Sequence, residues 1–440
     1  MTTTDEDLHK GVHPGRQKLS IFMAVLVLLP GVLLRLSGAE AAEPVKALAF
    51  GLAIVASAFL LAWAGEVAQL DISAGLSIAL LALVGVLPEY AVGFVFAAKG
   101  GRDFSRFGAA CQSGADRAAH LESSCTLALA NMTGANRLLI GVGWSMVVAI
   151  GWWQWRKRGT RSSGITLERS HSVELSFLTI ATMYSITLPL KRSITLIDAV
   201  VLVAIFVGYT IRIARAPAEE PHLVGPSRWI GGFPVARRRL TVLVFFVVAA
   251  GVILLCAEHF ADSLVATGRS FHVSDFLLVQ WLAPIASEAP ELLVAGLFAW
   301  RLNTDAGLGT LVSSKVNQWT LLIGTLPVVF AFSSHSMHGL PFLATAQGEV
   351  LLTASQSLFA VAILVNLSIS NKEALILFGL FWAQFLVGAF VPDSAHGAER
   401  VVVSAIYLVL ATVVLFRNRK MLRGLFHDGF RAPYAELSEG

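Results

Sequence analysis

Leu87-Pro88-Glu89 returns as Ala289-Pro290-Glu291, each triplet lying about midway along a long apolar run. The run after each triplet carries a polar cluster that ends in Asn. In the first half it is Asn131-Met132-Thr133-Gly134-Ala135-Asn136, in the second Ser313-Ser314-Lys315-Val316-Asn317. Past each Asn comes a matching apolar stretch, Leu138-Leu139-Ile140-Gly141 and Leu321-Leu322-Ile323-Gly324. The chain therefore reads as an internal repeat. The first copy is longer between its Glu and its final Asn, and the excess falls in the polar stretch 99–124, expected to be a loop enlargement of that half alone.

Composition says where this repeat lives. The 440 residues are 55% hydrophobic and 14% charged, with a mean hydropathy of +0.70, against about 25% charged in soluble domains. That excludes a soluble enzyme, a disordered tail protein and a nucleic-acid binder, in spite of a pI near 9.0. Three cysteines are too few for a disulfide framework or a tetrathiolate metal site. An all-α membrane protein is expected, embedded in a lipid bilayer.

Apolar runs between charged or turn-rich breaks give twelve candidate spans: 19–37, 47–64, 74–98, 125–153, 173–190, 194–213, 240–256, 276–300, 306–332, 350–367, 374–391 and 401–416. Each is near the ~20 residues a bilayer requires. The first run follows a mixed-charge tail and has no convincing cleavage site, so it is read as a helix rather than a signal peptide. Lys and Arg are richest in the connections that share a side with both termini, led by Arg156-Lys157-Arg158 and Arg237-Arg238-Arg239. The positive-inside rule then places both termini in the cytosol, in what is expected to be the plasma (inner) membrane. On that topology the spans bearing Glu89 and Glu291 run in opposite directions. The architecture is two inverted five-helix repeats with one extra helix at each end, and such repeats carry their ion or substrate site near the midplane. The expected divisions are a tail at 1–17, an added helix and loop at 18–45, a first half at 46–214, a cytosolic linker at 215–239, a second half at 240–391, and a last helix and tail at 392–440.

The chemistry follows from the residue types. A proline inside a helix releases a backbone carbonyl from its helical bond, and that carbonyl can face a cation. An adjacent Glu supplies formal charge, and a carboxylate at membrane depth is costly enough to imply a role. Polar groups in spans 125–153 and 306–332 must face protein or water, as in a transport pathway.

These residues resemble the α-repeats of the calcium/cation antiporter superfamily, which includes sodium/calcium and calcium/proton exchangers. Typical members read G-T-S-L-P-E and then G-N-x-x-G-S-N in each half. Asn131 to Asn136 keeps the Asn-to-Asn spacing of the second motif, and Glu258–Leu264 with Gly268 is similar to the approach to the second repeat. The resemblance covers roughly 46–391 and implies a secondary antiporter working by alternating access, not an enzyme, with no cofactor beyond its transported cations. The side-chain donors this sequence offers as metal ligands are Glu89, Glu291, Glu288, Ser287, Asn131, Asn136, Asn317 and Thr320, and the resemblance implies inorganic cations (Ca2+, Na+ or H+) as the partners.

The sequence departs from the pattern at several of these positions. Gly85-Val86 and Ser287-Glu288 stand where Thr-Ser is usual, the motif Ser is Ala135 or Val316, and a side-chain amide one turn on is Leu139 or Thr320. Arg137 and Lys315 add cations, and three Glu against two bases leave one net negative charge. Helical spacing turns Arg137 about 200° from Ala135, away from the cation side, whereas Lys315 is a credible partner for Glu288. Calcium favours six to eight oxygens, so the losses keep two alternatives open: a monovalent Na+/H+ exchanger, or a transport-inactive relative acting as sensor or scaffold. An intramembrane enzyme finds no support, since HExxH is missing and no Ser/His/Asp set can be placed at one depth.

Lesser signals have plainer readings. Cys111 and Cys125 flank the loop enlargement and are either bridged or two free thiols. His120 with Asp116 and Glu122 reads as a solvated loop rather than a metal site, His335 and His338 as surface, and Trp152, Trp153 and Trp155 as an interfacial belt beside Arg156. The oligomeric state is not encoded in any of these features.

Overall fold

The computed structural model describes residues 14–71, 74–114, 122–160, 162–216, 223, 225–271, 275–390 and 396–438. Almost every apolar run is a helix, as it must be where no water can satisfy the backbone. In chain order the helices are α1 (Pro14–Ser37), α2 (Glu43–Ala68), α3 (Ala74–Phe107), α4 (Ser124–Leu138), α5 (Ser145–Lys157), α6 (Ser172–Ser185), α7 (Leu196–Ile213), α8 (Pro226–Gly231), α9 (Val235–Ser270) and α10 (Asp275–Trp300). They continue with α11 (Thr304–Asn317), α12 (Ile323–Ser334), α13 (Ala344–Leu364), α14 (Asn371–Phe390), α15 (His396–Arg417), α16 (Arg419–Phe430) and α17 (Tyr434–Ser438). Among the described residues, ten helical segments are long and apolar enough to cross a membrane. α3 and α14 cover the other two runs picked out from the sequence.

Two helices outrun their apolar stretches. α9 continues through Glu258, His259 and Asp262 to Ser270, because backbone hydrogen bonding does not stop where side chains turn polar. α3 likewise carries on past Lys99 and Arg102 to Phe107. The start of the expected loop enlargement is therefore helix.

The chain forms two compact units, each drawing on both halves of the sequence. The first holds the described parts of Met1–Val95 and Ile213–Leu278, the second those of Phe96–Arg212 and Val279–Gly440. In the first unit α2 packs along α9 and α1. Small residues let these helices approach closely: a methyl group on Gly31 would meet the Ala49 carbonyl at 2.7 Å, and one on Gly51 the Phe260 ring at 3.0 Å. Asp71, just beyond α2, takes a two-pronged contact from Arg238, Nε to Oδ2 and Nη2 to Oδ1 at 2.8 Å each, with Arg239 Nε at 3.1 Å.

In the second unit, helices α4 and α11 each run through a π-helical segment, Leu139–Trp144 and Gln318–Leu322, into α5 and α12. Both segments sit just after the motif Asn, and such single-turn π insertions are frequent at functional sites. Four short strands tie the ends of these helices: β1 (Gly164–Thr166), β2 (Ser193–Ile194), β3 (Leu340–Pro341) and β4 (Ser368–Ser370). β1 pairs antiparallel with β4, and β2 with β3. Each pair thus joins a loop from the first half of the chain to one from the second. Cys111 and Cys125 are bridged, with Cα atoms 5.9 Å apart, which fastens the segment after α3 to the first turn of α4. Ser123 caps that turn by accepting from the Thr126 backbone N–H at 3.2 Å.

Candidate cation site

The polar cluster of α4 is wholly inside the protein. Every residue from Cys125 to Leu138 is buried, so its side chains must find partners within the protein or a ligand. Thr133 satisfies itself on the Leu129 and Ala130 carbonyls at 2.9 and 3.1 Å. Asn136 donates to the Met132 carbonyl at 3.0 Å. Asn131 does neither. Both its amide oxygen and its amide nitrogen are buried with no hydrogen-bond partner among the described residues. Gly134 explains how α4 comes so close to α10, since a methyl group there would lie 1.8 Å from the Gln280 carbonyl oxygen.

The second repeat contributes α11 in the same unit. Lys315 is fully buried, and its ammonium donates to the Asn136 backbone carbonyl at 2.5 Å and to the Asn136 amide oxygen at 2.8 Å. Its charge also lies 5.4 Å from the Trp319 ring centre, a favourable distance for a cation over an aromatic face. Two residues on, the buried Asn317 amide oxygen has no hydrogen-bond partner among the described residues. Thr320 turns back onto the Val316 carbonyl at 2.6 Å. On α10, Ser287 bonds its own helix at Ala283 and Pro284, and buried Glu288 accepts from Gln318 Nε2 at 2.6 Å. Glu291 is half-buried on the same helix, and α10 contains a second proline, Pro284, besides Pro290.

The structure therefore brings Asn136 together with the second repeat's Lys315, and Glu288 with Gln318. Among the described residues, the amide oxygens of Asn131 and Asn317 are left without a hydrogen-bond partner. Glu89 belongs to the other unit, buried on α3 one residue after Pro88.

Arg137 takes a different direction. Its guanidinium donates to Glu349 Oε2 at 2.6 Å and to the Gln384 amide oxygen. Glu349 also accepts from Gln280 Nε2 at 2.8 Å and from Arg400 Nε at 2.7 Å. Three side chains, from α4, α10 and α15, thus meet on the buried Glu349 carboxylate of α13, and Gln384 of α14 joins them through Arg137. Sequence reading missed Glu349 because nothing local marks it beyond being acidic at the edge of an apolar run. It also missed Gln356 of α13, buried with both amide atoms unpartnered among the described residues. His120 and Asp116 lie outside the described residues; His335 and His338 are exposed.

A family model for the sodium/calcium exchanger protein matches residues 45–214 and 241–391. Among solved structures, an H+/Ca2+ exchanger CAX is 38% identical, covering 96% of this chain and 98% of that one with a TM-score of 0.84. The Ca2+/H+ antiporter protein YfkE, at 13% identity and a TM-score of 0.59 over 89% of this chain and 100% of that one, shares the fold. A putative antiporter CaxA from Alkalimonas amylolytica is 23% identical over 148 residues, 34% of this chain and 44% of the relative. The chain thus spans under half the length of that curated relative. With the family model matching well over half of the chain, in both halves of the sequence, the chain belongs to the sodium/calcium exchanger family of membrane proteins.

Proposed function

We propose that this protein is a secondary cation antiporter that works by alternating access and exchanges Ca2+ against H+ or Na+. The observation that carries the reading is the pair of motif amides, Asn131 and Asn317, whose oxygens are buried without a hydrogen-bond partner among the described residues. An orphaned buried carbonyl-type oxygen costs about 1–3 kcal/mol, and a cation that rests on it during transport offsets that cost. Glu89, Glu288 and Glu291 supply the formal charge, with Ser287 and Thr320 as the remaining candidate ligands, while the Asn136 oxygens accept from Lys315. Buried carboxylates exchange protons as well as cations, which makes proton coupling chemically available. The 38% identical neighbour, an H+/Ca2+ exchanger, supports calcium as cargo.

Strand pairing supports the repeat architecture behind this mechanism. Exchanging the two halves of the chain turns the β1–β4 pair into β3–β2, so the pairing is unchanged. That is the relation expected of inverted repeats about a pseudo-two-fold axis, within twelve spans and with both termini cytosolic.

One observation favours a second reading. Lys315 places a buried positive charge on the oxygens of Asn136, which suits monovalent Na+/H+ exchange better than a divalent site. The test is counter-flow in proteoliposomes, with calcium, sodium, potassium and pH gradients imposed separately. Calcium uptake driven by an outward proton gradient, and lost in Glu89→Gln and Glu291→Gln, is the expected result. Sodium-driven proton flux without calcium movement selects the monovalent reading. No flux of any cation from well-folded protein overturns both.

A further inference from the structure

Lys315 stands two residues before Asn317, as Gly134 stands two residues before Asn136. At the first of these equivalent positions the missing side chain lets the Gln280 carbonyl approach. At the second, a long side chain reaches across to the other repeat's motif. Its end group meets two oxygens of a single residue, the backbone carbonyl and the amide oxygen of Asn136, at 2.5 and 2.8 Å. Both are acceptors without formal charge, the kind of oxygen pair that coordinates a monovalent cation. The Asn136 amide nitrogen is turned the other way, onto Met132, so that Asn136 presents its oxygens and not its nitrogen to Lys315.

We infer that the Lys315 ammonium is a tethered cation that permanently fills a monovalent position at Asn136, and so sets how many free cations this protein binds. The inference rests on the antiporter reading for its consequence but on the Lys315–Asn136 geometry for its substance. A burial this complete is costly for an ammonium unless oxygens replace its water, and Asn136 provides two. With that position filled from within, a mobile cation is left with the unsatisfied oxygens of Asn131 and Asn317 and the carboxylates of α10. Lys315 is then a specificity-determining residue: it removes one mobile cation from the exchange cycle without removing the oxygens that would hold it.

Removing the side chain should expose those oxygens to a free cation of similar size. Full-length protein and Lys315→Ala are compared by thermal unfolding in detergent, in choline chloride and in equimolar methylammonium, potassium or sodium chloride. In Lys315→Ala, at least one of the small cations should raise the melting temperature over choline by on the order of 1–2 °C more than it does in the unsubstituted protein. Equal shifts in the two proteins overturn the inference. If Lys315→Ala does not survive extraction in choline, the yield of monodisperse protein extracted in each salt is the readout. Recovery in methylammonium or potassium supports the tethered cation, and uniformly absent protein in all four salts overturns it. The transport assay separates the two levels. Cation-dependent stabilisation of Lys315→Ala alongside a parent that moves no ion leaves the inference standing and removes the antiporter reading. A parent that exchanges cations beside a variant indifferent to salt does the reverse.

Discussion

Arg137 and Glu349 are 212 positions apart in sequence and 2.6 Å apart in space, with both side chains buried. Arg137 follows the motif Asn136 directly, so this ion pair ties the helix bearing the first motif to α13. Glu349 is shared with Arg400, which extends the tie to α15. Removing one partner of a buried pair costs about 3–5 kcal/mol, because the other charge is stranded. Glu349→Ala strands two guanidinium groups and should lower the melting temperature sharply in detergent. Glu40→Ala, at a side chain that is 97% exposed, should leave it unchanged. Similar melting of the two variants would show that the network contributes nothing.

The Cys111–Cys125 bridge closes a short loop, with a sequence separation of 14, while Cys256 is free and buried. In the chain-entropy account, a loop of about 15 residues is stabilised by about 3 kcal/mol when cross-linked. Peptide mapping without reductant should recover residues 111 and 125 on cross-linked peptides, and Cys111→Ser should unfold at lower temperature. Alkylation of native protein should spare Cys256 until it unfolds. Recovery of Cys111 and Cys125 as alkylated thiols from unreduced protein contradicts the bridge.

Asp71 carries the clearest pH dependence outside the spans. The Arg238 guanidinium bonded to it, with Arg239 beside it, holds its carboxyl below the ordinary 3.8 in spite of partial burial. A carboxyl whose pKa is lower folded than unfolded stabilises the fold above its unfolded value, and the stabilisation fades as pH falls through the folded value. Melting measured from pH 6 down to pH 3 should therefore fall more steeply in the unsubstituted protein than in Asp71→Asn, the two curves converging at the acid end. Parallel curves would show that Asp71 contributes no linkage.

The repeat was legible in the sequence because its signals are local. Pro-Glu at mid-span and an Asn-terminated polar cluster each fall within a few residues, and the apolar runs mark most helices without tertiary knowledge. The parts that were not legible depend on partners distant in sequence or on backbone hydrogen bonding. Lys315 reads from sequence as a partner of Glu288, and that its ammonium reaches Asn136 is visible only in the fold. Glu349 draws its meaning from Arg137, Gln280 and Arg400, none of them nearby in the chain. The π segments after Asn136 and Asn317 share no composition that marks them, one reading Leu-Ile-Gly-Val-Gly-Trp and the other Gln-Trp-Thr-Leu-Leu. The ends of α3 and α9 were cut short by reading polarity as a helix stop, when Glu258, Asp262 and Arg102 are compatible with a continuing helix.

Asn131 separates a ligand from a structural residue. A buried amide that stabilises the fold loses hydrogen bonds when replaced, and stability falls with it. Asn131 has no hydrogen bond to lose within the described structure, so Asn131→Leu, close to it in size, removes a desolvation cost of about 1–3 kcal/mol. Its melting temperature in the absence of transported cations should therefore hold or rise. Flux in proteoliposomes should collapse, since the oxygen offered to the cation is gone. The stabilisation that the unsubstituted protein gains from its cargo ion, measured as a shift in melting temperature, should shrink in parallel. The contrast with Thr133, two residues on and bonded to its own helix, is the internal control: Thr133→Val should keep most of the flux. If Asn131→Leu loses stability and retains transport, Asn131 is a packing residue and the cation rests elsewhere.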